Sequence, residues 1–203
     1  MHLGKSVLRL KFIKKRKKLY SKHASFSFGK VFSLIKKNFS KKKILVGCYF
    51  PSNFEVNILN FLHQVNKKKF TVGLPIIKKN YKMTFRDWNL KEPLYVNKYG
   101  ILEPRKENFS FKPDVILVPL VAFDRNLNRI GYGKGYYDRA LKQLSVNKKI
   151  LTIGIAFSFQ ECSFIPTNQY DYKLDCILTE KKLIYSKTNE NFIFGRRSWP
   201  IRM

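Results

Sequence analysis

The sequence predicts an α/β fold, a single domain built on a mostly parallel sheet with helices on both of its faces. The chain has 203 residues, which is enough for one such domain but cramped for two. Its strongest apolar segments are short continuous runs, as expected of strands that are buried on both faces. Segments with apolar residues at helical spacing separate these runs, and this alternation favours a parallel sheet.

Each element follows from a local pattern. Helices are predicted where apolar residues recur every three or four positions, at 3–19, 28–38, 55–65 and 136–144. Strands are predicted at the apolar runs 44–50, 70–74, 83–88, 114–119, 151–157 and 176–178. Pro51 and Pro75 are expected to end the first two strands. The predicted domain covers residues 1–186, and residues 187–203 form a C-terminal extension that resembles no known motif.

The charge of the chain is its most unusual property. There are 41 Lys and Arg residues against 13 Asp and Glu residues, a formal net charge of +28. This excess is typical of proteins that bind nucleic acid or an anionic membrane surface. The abundance of Lys, Asn, Ile, Phe and Tyr, which have A/T-rich codons, offers a second explanation in base composition alone. The residues leave both explanations open.

Several patterns bear on the compartment. The three cysteines, at 48, 162 and 176, are sparse and form no CxxC pair, which favours a reducing compartment and excludes a zinc site of the usual spacing. No apolar run approaches the ~18 residues of a membrane span, and no secretory signal is evident. Residues 1–54 contain no Asp or Glu, as in a mitochondrial transit peptide, but Lys dominates there instead of Arg and Ser. We therefore expect a cytoplasmic protein.

Three alternating glycines mark the segment that carries chemistry. Gly131, Gly133 and Gly135 follow the strand at 114–119 and directly precede the helix at 136–144. Free N–H groups and the helix dipole at such a position favour an anion, above all a phosphate. Arg129 and Lys134 add positive charge, and Asp138 offers an oxygen ligand suited to Mg²⁺. The glycines alone also allow a turn that binds nothing, since they match neither a Walker A loop nor a dinucleotide-binding fingerprint.

The residues around these glycines are more specific. Phe123 and Asp124 lie upstream, and the segment 129–138 reads Arg-Ile-Gly-Tyr-Gly-Lys-Gly-Tyr-Tyr-Asp. This combination resembles the signature of the 5-formyltetrahydrofolate cyclo-ligase (methenyltetrahydrofolate synthetase) family. Further motifs agree in the family's order, at Lys5 with Arg9, at 55–58, 74–75, 83–88, 99–104, Asp171 and 174–180. In one of them Asn57 and Ile58 replace the family's acid and threonine, so that only Glu55 matches there.

The resemblance implies a three-layer α/β/α fold of the sugar-isomerase/CoA-transferase-like kind. It also implies an enzyme that converts 5-formyltetrahydrofolate and ATP to 5,10-methenyltetrahydrofolate, ADP and phosphate with Mg²⁺, through a phosphorylated formyl group. We expect a monomer whose folate substrate carries one or several glutamates. Phosphoryl transfer depends on positioning and charge neutralisation, which suits a site rich in loop N–H groups and cations.

The family's residue roles carry over to matching positions only. Lys134 and Arg129 are the expected catalytic residues, and Asp138 and Asp175 the expected magnesium ligands. The expected ATP-binding residues are Lys5, Arg9, Arg129, Ile130, Gly131, Tyr132, Gly133, Lys134, Gly135, Tyr136 and Tyr137. The expected folate-binding residues are Phe50, Glu55, Tyr132, Gly133, Lys134, Gly135 and Tyr136.

A basic nucleic-acid-binding or ribosome-associated protein is the alternative function. It explains the net charge and the acid-free N-terminal segment. It does not explain the ordered motifs, and no zinc finger, RNA-recognition or helix-turn-helix pattern is evident in the sequence.

Overall fold

The structure is a computed structural model, and it describes residues 3–20, 25–40, 43–68, 70–146 and 148–185. The described helices are α1 (Lys5–Leu19), α2 (Gly29–Asn38), α3 (Leu59–Lys67) and α4 (Tyr136–Val146), with a 3₁₀ turn at Ser158–Gln160. The first strands are β1 (Leu45–Gly47), β2 (Thr71–Ile77), β3 (Met83–Asp87), β4 (Tyr95–Val96), β5 (Leu102–Glu103) and β6 (Ser110–Phe111). They are followed by β7 (Val115–Pro119), β8 (Ala122–Phe123), β9 (Arg129–Ile130), β10 (Leu151–Ile155), β11 (Cys176–Leu178) and β12 (Leu183–Tyr185).

The described strands form one large sheet and two short ribbons. The sheet has the order β12-β11-β10-β7-β1-β2-β3-β6, and the ribbons are β4-β5 and β8-β9. From β11 to β2 neighbouring strands are parallel, whereas β12, β3 and β6 pair antiparallel at the edges. The predicted α/β fold with a mostly parallel sheet is therefore confirmed.

Alternation along β7 divides the core between the two faces of the sheet. Val115 and Leu117 contribute to a cluster with α2 and α3, while Ile116 and Val118 contribute to a cluster with α4. All four side chains are fully buried. Burial on both faces explains why this strand is a continuous apolar run in the sequence.

Two element boundaries differ from the prediction, each for a local reason. The helix expected at 55–65 begins at Leu59, where the Asn57 side chain accepts a hydrogen bond of 2.9 Å from the Leu59 N–H and so caps the helix. The strand expected to end at Pro75 continues to Ile77, with Pro75 opposite Phe85 of β3. A proline is tolerated in a strand where the ladder does not need its missing N–H.

The N-terminal helix does not cover the central sheet. Leu8 and Phe12 of α1 pack against Val121, Ala122 and Ile130 of the β8-β9 region. This ribbon follows the carboxyl end of β7, so α1 lies at that edge of the sheet. No helix that the structure describes is both long and apolar enough to cross a bilayer. The predicted C-terminal extension at 187–203 lies outside the described residues.

Candidate active site

The predicted site residues other than Asp175 lie around the edge where the parallel strands end. The crossover from β7 to the parallel neighbour β10 passes through α4, which therefore begins at the carboxyl edge of the sheet. Residues 131–135 connect β9 to α4, and α1 packs beside them. Ligands of open α/β sheets bind at this edge, and the structure brings the glycines there together with the N-terminal helix.

The glycine loop, defined here as residues 131–135, needs glycine at two positions. Gly133 and Gly135 have φ angles of +99° and +64°, which side chains rarely adopt. At Gly131 a Cβ would meet no atom within 4 Å. Two of the three glycines therefore allow the turn that brings backbone N–H groups to the start of α4.

The first helix contributes two cationic side chains, Arg9 and Lys5, which have different partners. Arg9 Nε donates a hydrogen bond of 2.8 Å to the carbonyl oxygen of Gly131, which places its guanidinium on the glycine loop. Lys5, one turn earlier, forms an ion pair with Asp171. Both lie on one face of α1, as their spacing predicts, but of the two only Arg9 has a hydrogen bond to the glycine loop in the described structure.

Lys134 is the exposed cation of the glycine loop. Its Nζ lies 3.8 Å from the centroid of the Tyr99 ring, a cation–π contact with the turn between β4 and β5. The Arg139 guanidinium donates to the Lys134 carbonyl oxygen. The backbone of Lys134 is therefore held from α4, while its ammonium group rests on a surface ring.

Arg129 is buried, and its guanidinium is hydrogen-bonded to other groups of the protein. Its Nη1 donates to the carbonyl oxygen of Tyr172 at 2.6 Å and its Nη2 to Asp138 Oδ1 at 2.8 Å. The same carboxylate oxygen accepts the Tyr172 N–H at 3.1 Å. The Arg129 side chain is 3% exposed, and it ties α4 to the segment before β11 rather than projecting into open space.

The structure does not bring the two expected magnesium ligands together. Asp138 lies in the first turn of α4, where the strands end, whereas Asp175 lies directly before β11, where that strand begins. Asp175 Oδ2 accepts hydrogen bonds from the Thr152 N–H at 2.8 Å and the Thr152 hydroxyl at 2.6 Å. Among the described residues there is also no cluster of three or more His, Cys, Asp or Glu side chains that could hold a metal. The arrangement does not fit an ion held by both carboxylates. Of the two expected ligands, Asp138 is the one that lies beside the glycine loop.

Glu55 is buried beside Tyr132, and the groups that enclose its carboxylate are named the carboxylate pocket. Its Oε1 accepts a hydrogen bond of 3.0 Å from the Tyr132 hydroxyl, and its Oε2 accepts one of 2.9 Å from the Ser52 N–H. Burial raises the pKa of the Glu55 carboxyl, while the Ser52 bond and the nearby Arg16 charge oppose this rise. Phe50, the other folate-binding residue predicted after β1, makes an edge-on contact with Trp88, with ring centroids 6.2 Å apart.

The remaining predicted residues take different places around the glycine loop. Ile130 is buried under α1, and its carbonyl oxygen accepts the Val121 N–H, so it offers no side chain to a ligand. The Tyr137 hydroxyl is enclosed with no hydrogen-bond partner in the described structure. Tyr136 lines a cavity of about 1170 Å³ between the β2–β3 turn and residues 95–108.

That cavity is strongly basic. Its lining includes Lys78, Lys79, Lys98, Arg105 and Lys106 against two glutamates, Glu103 and Glu107. Glu103 is buried and accepts hydrogen bonds from the Ile77 N–H and the Asn97 amide. The cavity does not include Glu55, so the glycine loop has the carboxylate pocket on one side and a basic cavity on the other.

Sequence reasoning missed two residues of this region. Arg16 is 1% exposed and donates to the Tyr132 hydroxyl at 2.5 Å. Its position seven residues after Arg9 puts both on one face of α1, a signal hidden among the many lysines and arginines of that helix. Tyr99, whose ring contacts the Lys134 ammonium group, belongs to the motif at 99–104. Nothing in that motif indicates a contact with the glycine loop.

Comparisons with known proteins point to one family. The model of the 5-formyltetrahydrofolate cyclo-ligase family matches residues 2–180. A 5-formyltetrahydrofolate cyclo-ligase of Haemophilus influenzae is 31% identical over 140 residues, which are 66% of this chain and 74% of that protein. One of Mycoplasma genitalium is 39% identical over 131 residues, 64% of this chain and 68% of that protein.

Solved structures point the same way. A 5,10-methenyltetrahydrofolate synthetase of Aquifex aeolicus superposes with a TM-score of 0.70 and 33% identity, covering 89% of this chain and 92% of that one. A 5,10-methenyltetrahydrofolate synthetase of Mycoplasma pneumoniae gives a TM-score of 0.67 at 27% identity, covering 88% of this chain and 99% of that one. The family match covers the α/β domain from α1 to β11, including every motif from which the site was predicted. The chain therefore belongs to the 5-formyltetrahydrofolate cyclo-ligase family.

Proposed function

We propose that this protein converts 5-formyltetrahydrofolate and ATP to 5,10-methenyltetrahydrofolate, ADP and phosphate. The observation that carries the proposal is the position of the glycine loop between two unlike groups. Arg9 binds the loop at Gly131, and Glu55 binds it at Tyr132. An anion site and a buried carboxylate pocket thus adjoin across one peptide bond, as a reaction between a phosphate donor and a pterin requires.

The chemistry needs activation of a poor leaving group. The formyl oxygen attacks the γ-phosphorus of ATP, ADP leaves, and the formyl carbon becomes an electrophilic iminium carbon bonded to a phosphate ester oxygen. The N10 lone pair then attacks this carbon, its proton is released, and the C–O bond breaks with phosphate as the leaving group. The carbon ends bonded to N5 and N10, and the formyl oxygen leaves with the phosphate.

The residues on the phosphate side act by charge and position. The N–H groups of the glycine loop and the start of α4 face an anion, and Arg9 adds a fork of donors beside them. Lys134 must leave the Tyr99 ring to reach the transferring phosphoryl group, where its charge would stabilise the transition state. Arg129 acts through Asp138 and the start of α4 in this proposal, because both of its terminal nitrogens already bind protein groups.

Magnesium and the carboxylate pocket complete the assignment. Magnesium usually binds one or two carboxylates together with substrate phosphates, and Asp138 is suited to hold it here and so to neutralise phosphate charge. Glu55 is the proposed acceptor for the N–H groups of the pterin, with Phe50 and Trp88 as its apolar border.

The basic cavity suggests where the rest of the folate extends. A glutamate tail carries two carboxylates or more, and the cavity beside Tyr136 offers five cationic side chains. Part of the net charge of the chain would then serve substrate binding, which a nucleic-acid-binding role would not require at this place. We keep a cytoplasmic monomer as the proposed state, and the three free thiols are in accord with a reducing compartment.

A direct assay tests the function. Purified protein is mixed with 5-formyltetrahydrofolate and MgATP, and the absorbance of methenyltetrahydrofolate is followed. We expect product that depends on ATP and that appears together with ADP in equal amounts. Folded protein that forms neither product under these conditions would overturn the proposal. A matched reaction at raised salt separates it from nucleic-acid binding, which loses affinity steeply with salt.

A further inference from the structure

Arg16 is a buried cation whose side chain reaches the site from α1. It is 1% exposed, and its Nη1 donates to the carbonyl oxygen of Leu120 at 3.2 Å. Its Nη2 donates to the Tyr132 hydroxyl at 2.5 Å, and its guanidinium carbon lies 5.5 Å from the centroid of the Tyr132 ring. Its Nε has no partner in the described structure. Removing a charged side chain from water costs free energy, so a buried arginine is expected to stabilise a neighbouring group.

The donor properties of arginine fix the direction of the bonds that follow. A guanidinium has only donors, so the Tyr132 oxygen must accept from Arg16. The single hydroxyl hydrogen of Tyr132 is then directed to Glu55 Oε1, 3.0 Å away. Burial raises the pKa of the Tyr132 hydroxyl, which keeps that hydrogen in place. Arg16, Tyr132 and Glu55 thus form one chain of bonds from α1 to the carboxylate pocket.

The surroundings of Glu55 make this chain electrostatically important. Tyr49, after β1, and Tyr137, in α4, are close enough to Glu55 for its charge to raise the pKa of each hydroxyl, and neither carries a positive charge. Ser52 donates to the other carboxylate oxygen but is neutral. Arg16 is the cation that lowers the pKa of Glu55 against the effect of burial.

We propose that Arg16 is a positioning residue for the folate: through the Tyr132 hydroxyl it holds Glu55 as an oriented, ionised carboxylate that accepts the pterin N–H groups. The inference rests on the proposed function. Without Arg16, the Tyr132 hydroxyl is free to rotate, and the Glu55 carboxylate loses the positive charge that lowers its pKa. Arg16 meets the glycine loop only at the Tyr132 side chain and has no hydrogen bond or ion pair with Arg9, Lys134 or Asp138 in the described structure, so its loss should act mainly on the folate.

Two variants break the chain at different bonds. Arg16→Met removes the charge and keeps an unbranched apolar side chain, whereas Tyr132→Phe removes only the hydroxyl. We expect both to raise the KM for 5-formyltetrahydrofolate about 10- to 100-fold while the KM for ATP changes less than about twofold. The double variant should be about as impaired as the worse single variant, because both changes cut one chain. Arg16→Lys, which restores a charge but not the fork, should recover part of the loss.

The pH profile separates positioning from simple structural support. In Arg16→Met the acidic limb of kcat/KM for folate should move to higher pH, because Glu55 then ionises less readily. Equal losses for folate and ATP, additive effects in the double variant, or an acidic limb that does not move would each overturn the proposal. If Arg16→Met fails to fold by circular dichroism, Tyr132→Phe alone decides through the folate KM. An inactive wild-type protein would instead refute the proposed function itself.

Discussion

The guanidinium carbon of Arg9 lies 3.2 Å from the point that a Cβ on Gly133 would occupy. Gly133 also has a φ angle of +99°, a conformation that side chains rarely adopt, and a Cβ there would crowd the Arg9 guanidinium. At Gly131, where Arg9 Nε binds the carbonyl oxygen, a Cβ would meet no atom within 4 Å. Arg9 therefore packs closely against the Gly133 position, whereas the space beside the Gly131 Cα is open.

This difference predicts opposite results for two alanine substitutions. Gly133→Ala should strain the backbone by roughly 1–3 kcal/mol and displace Arg9, and so raise the KM for ATP about tenfold or more. Gly131→Ala should change that KM less than about threefold, because its added methyl group has open space. Steady-state kinetics at saturating folate measures both. Equal effects of the two substitutions would show that the loop tolerates or rejects side chains for another reason.

Arg9 itself should be needed for ATP and not for folate. Arg9→Ala removes a charged donor from the glycine loop and is expected to raise the KM for ATP about 10- to 100-fold, with a smaller change in the folate KM. Lys5→Ala should cost less, because Lys5 is already neutralised by Asp171.

Lys14→Ala is the matched control, since Lys14 is an exposed cation on the same helix. Lys15 does not suit this purpose, because its ammonium group donates to the Phe159 carbonyl oxygen at 2.8 Å. If Lys14→Ala raised the ATP KM as much as Arg9→Ala does, the field of the whole helix and not a contact would be responsible.

The sequence was sufficient for those features that depend on local pattern. The buried run at β7, the glycines before α4 and the common helical face of Lys5 and Arg9 are all visible as spacing, and the structure places them together. The start of α3 was misjudged because its apolar spacing continues upstream, while the Asn57 side chain ends that continuation through a hydrogen bond that spacing does not reveal.

Contacts between distant segments could not be predicted in this way. Nothing in the sequence pairs Arg16 with Tyr132, or Lys134 with Tyr99, since more than 30 residues separate each pair. The same limit applies to Asp138 and Asp175, which a shared chemistry suggested as partners. Only the topology shows that Asp175 directly precedes β11, whereas Asp138 lies in the first turn of α4, at the edge where the parallel strands end.

The two aspartates should therefore differ in their link to magnesium. Asp138→Asn is expected to weaken the activation of turnover by Mg²⁺ and to disturb Arg129, whereas Asp175→Asn should leave the Mg²⁺ concentration for half-activation within about twofold. Asp175→Asn should instead lower the free energy of unfolding by about 1–3 kcal/mol, since the buried Thr152 groups lose a charged acceptor. Titration of activity with Mg²⁺ and urea unfolding measure the two effects. A large increase in the Mg²⁺ requirement of Asp175→Asn would contradict the arrangement described here.

The raised pKa of Glu55 has a consequence for stability. Its usual value is 4.5, and burial raises it in the folded protein. Between pH 4.5 and the raised pKa of the folded protein, the folded state binds more protons than the unfolded state. This group therefore makes the free energy of unfolding fall as pH rises, by at most about 1.4 kcal/mol per pH unit. Glu55→Gln removes this contribution. Urea unfolding across acidic to neutral pH should show the variant gaining stability relative to the wild type as pH increases, and a constant difference between the two would show that Glu55 does not titrate as described.

Lys134 should act on turnover more than on binding. In the structure its ammonium group rests on the Tyr99 ring at 3.8 Å, so it must leave this ring to reach the phosphoryl group. Its proposed role is to meet charge on the transferring phosphoryl group, an interaction that is stronger in the transition state than in the ground state. Lys134→Ala should therefore lower kcat about 100- to 1000-fold while the KM for ATP changes less than about fivefold. Lys134→Arg keeps the charge and should recover part of kcat, and Lys14→Ala controls for the loss of one positive charge. A variant that kept the kcat of the wild type and showed only a raised ATP KM would make Lys134 a ground-state ligand of the nucleotide, and the transition-state role would have to pass to the N–H groups of the glycine loop.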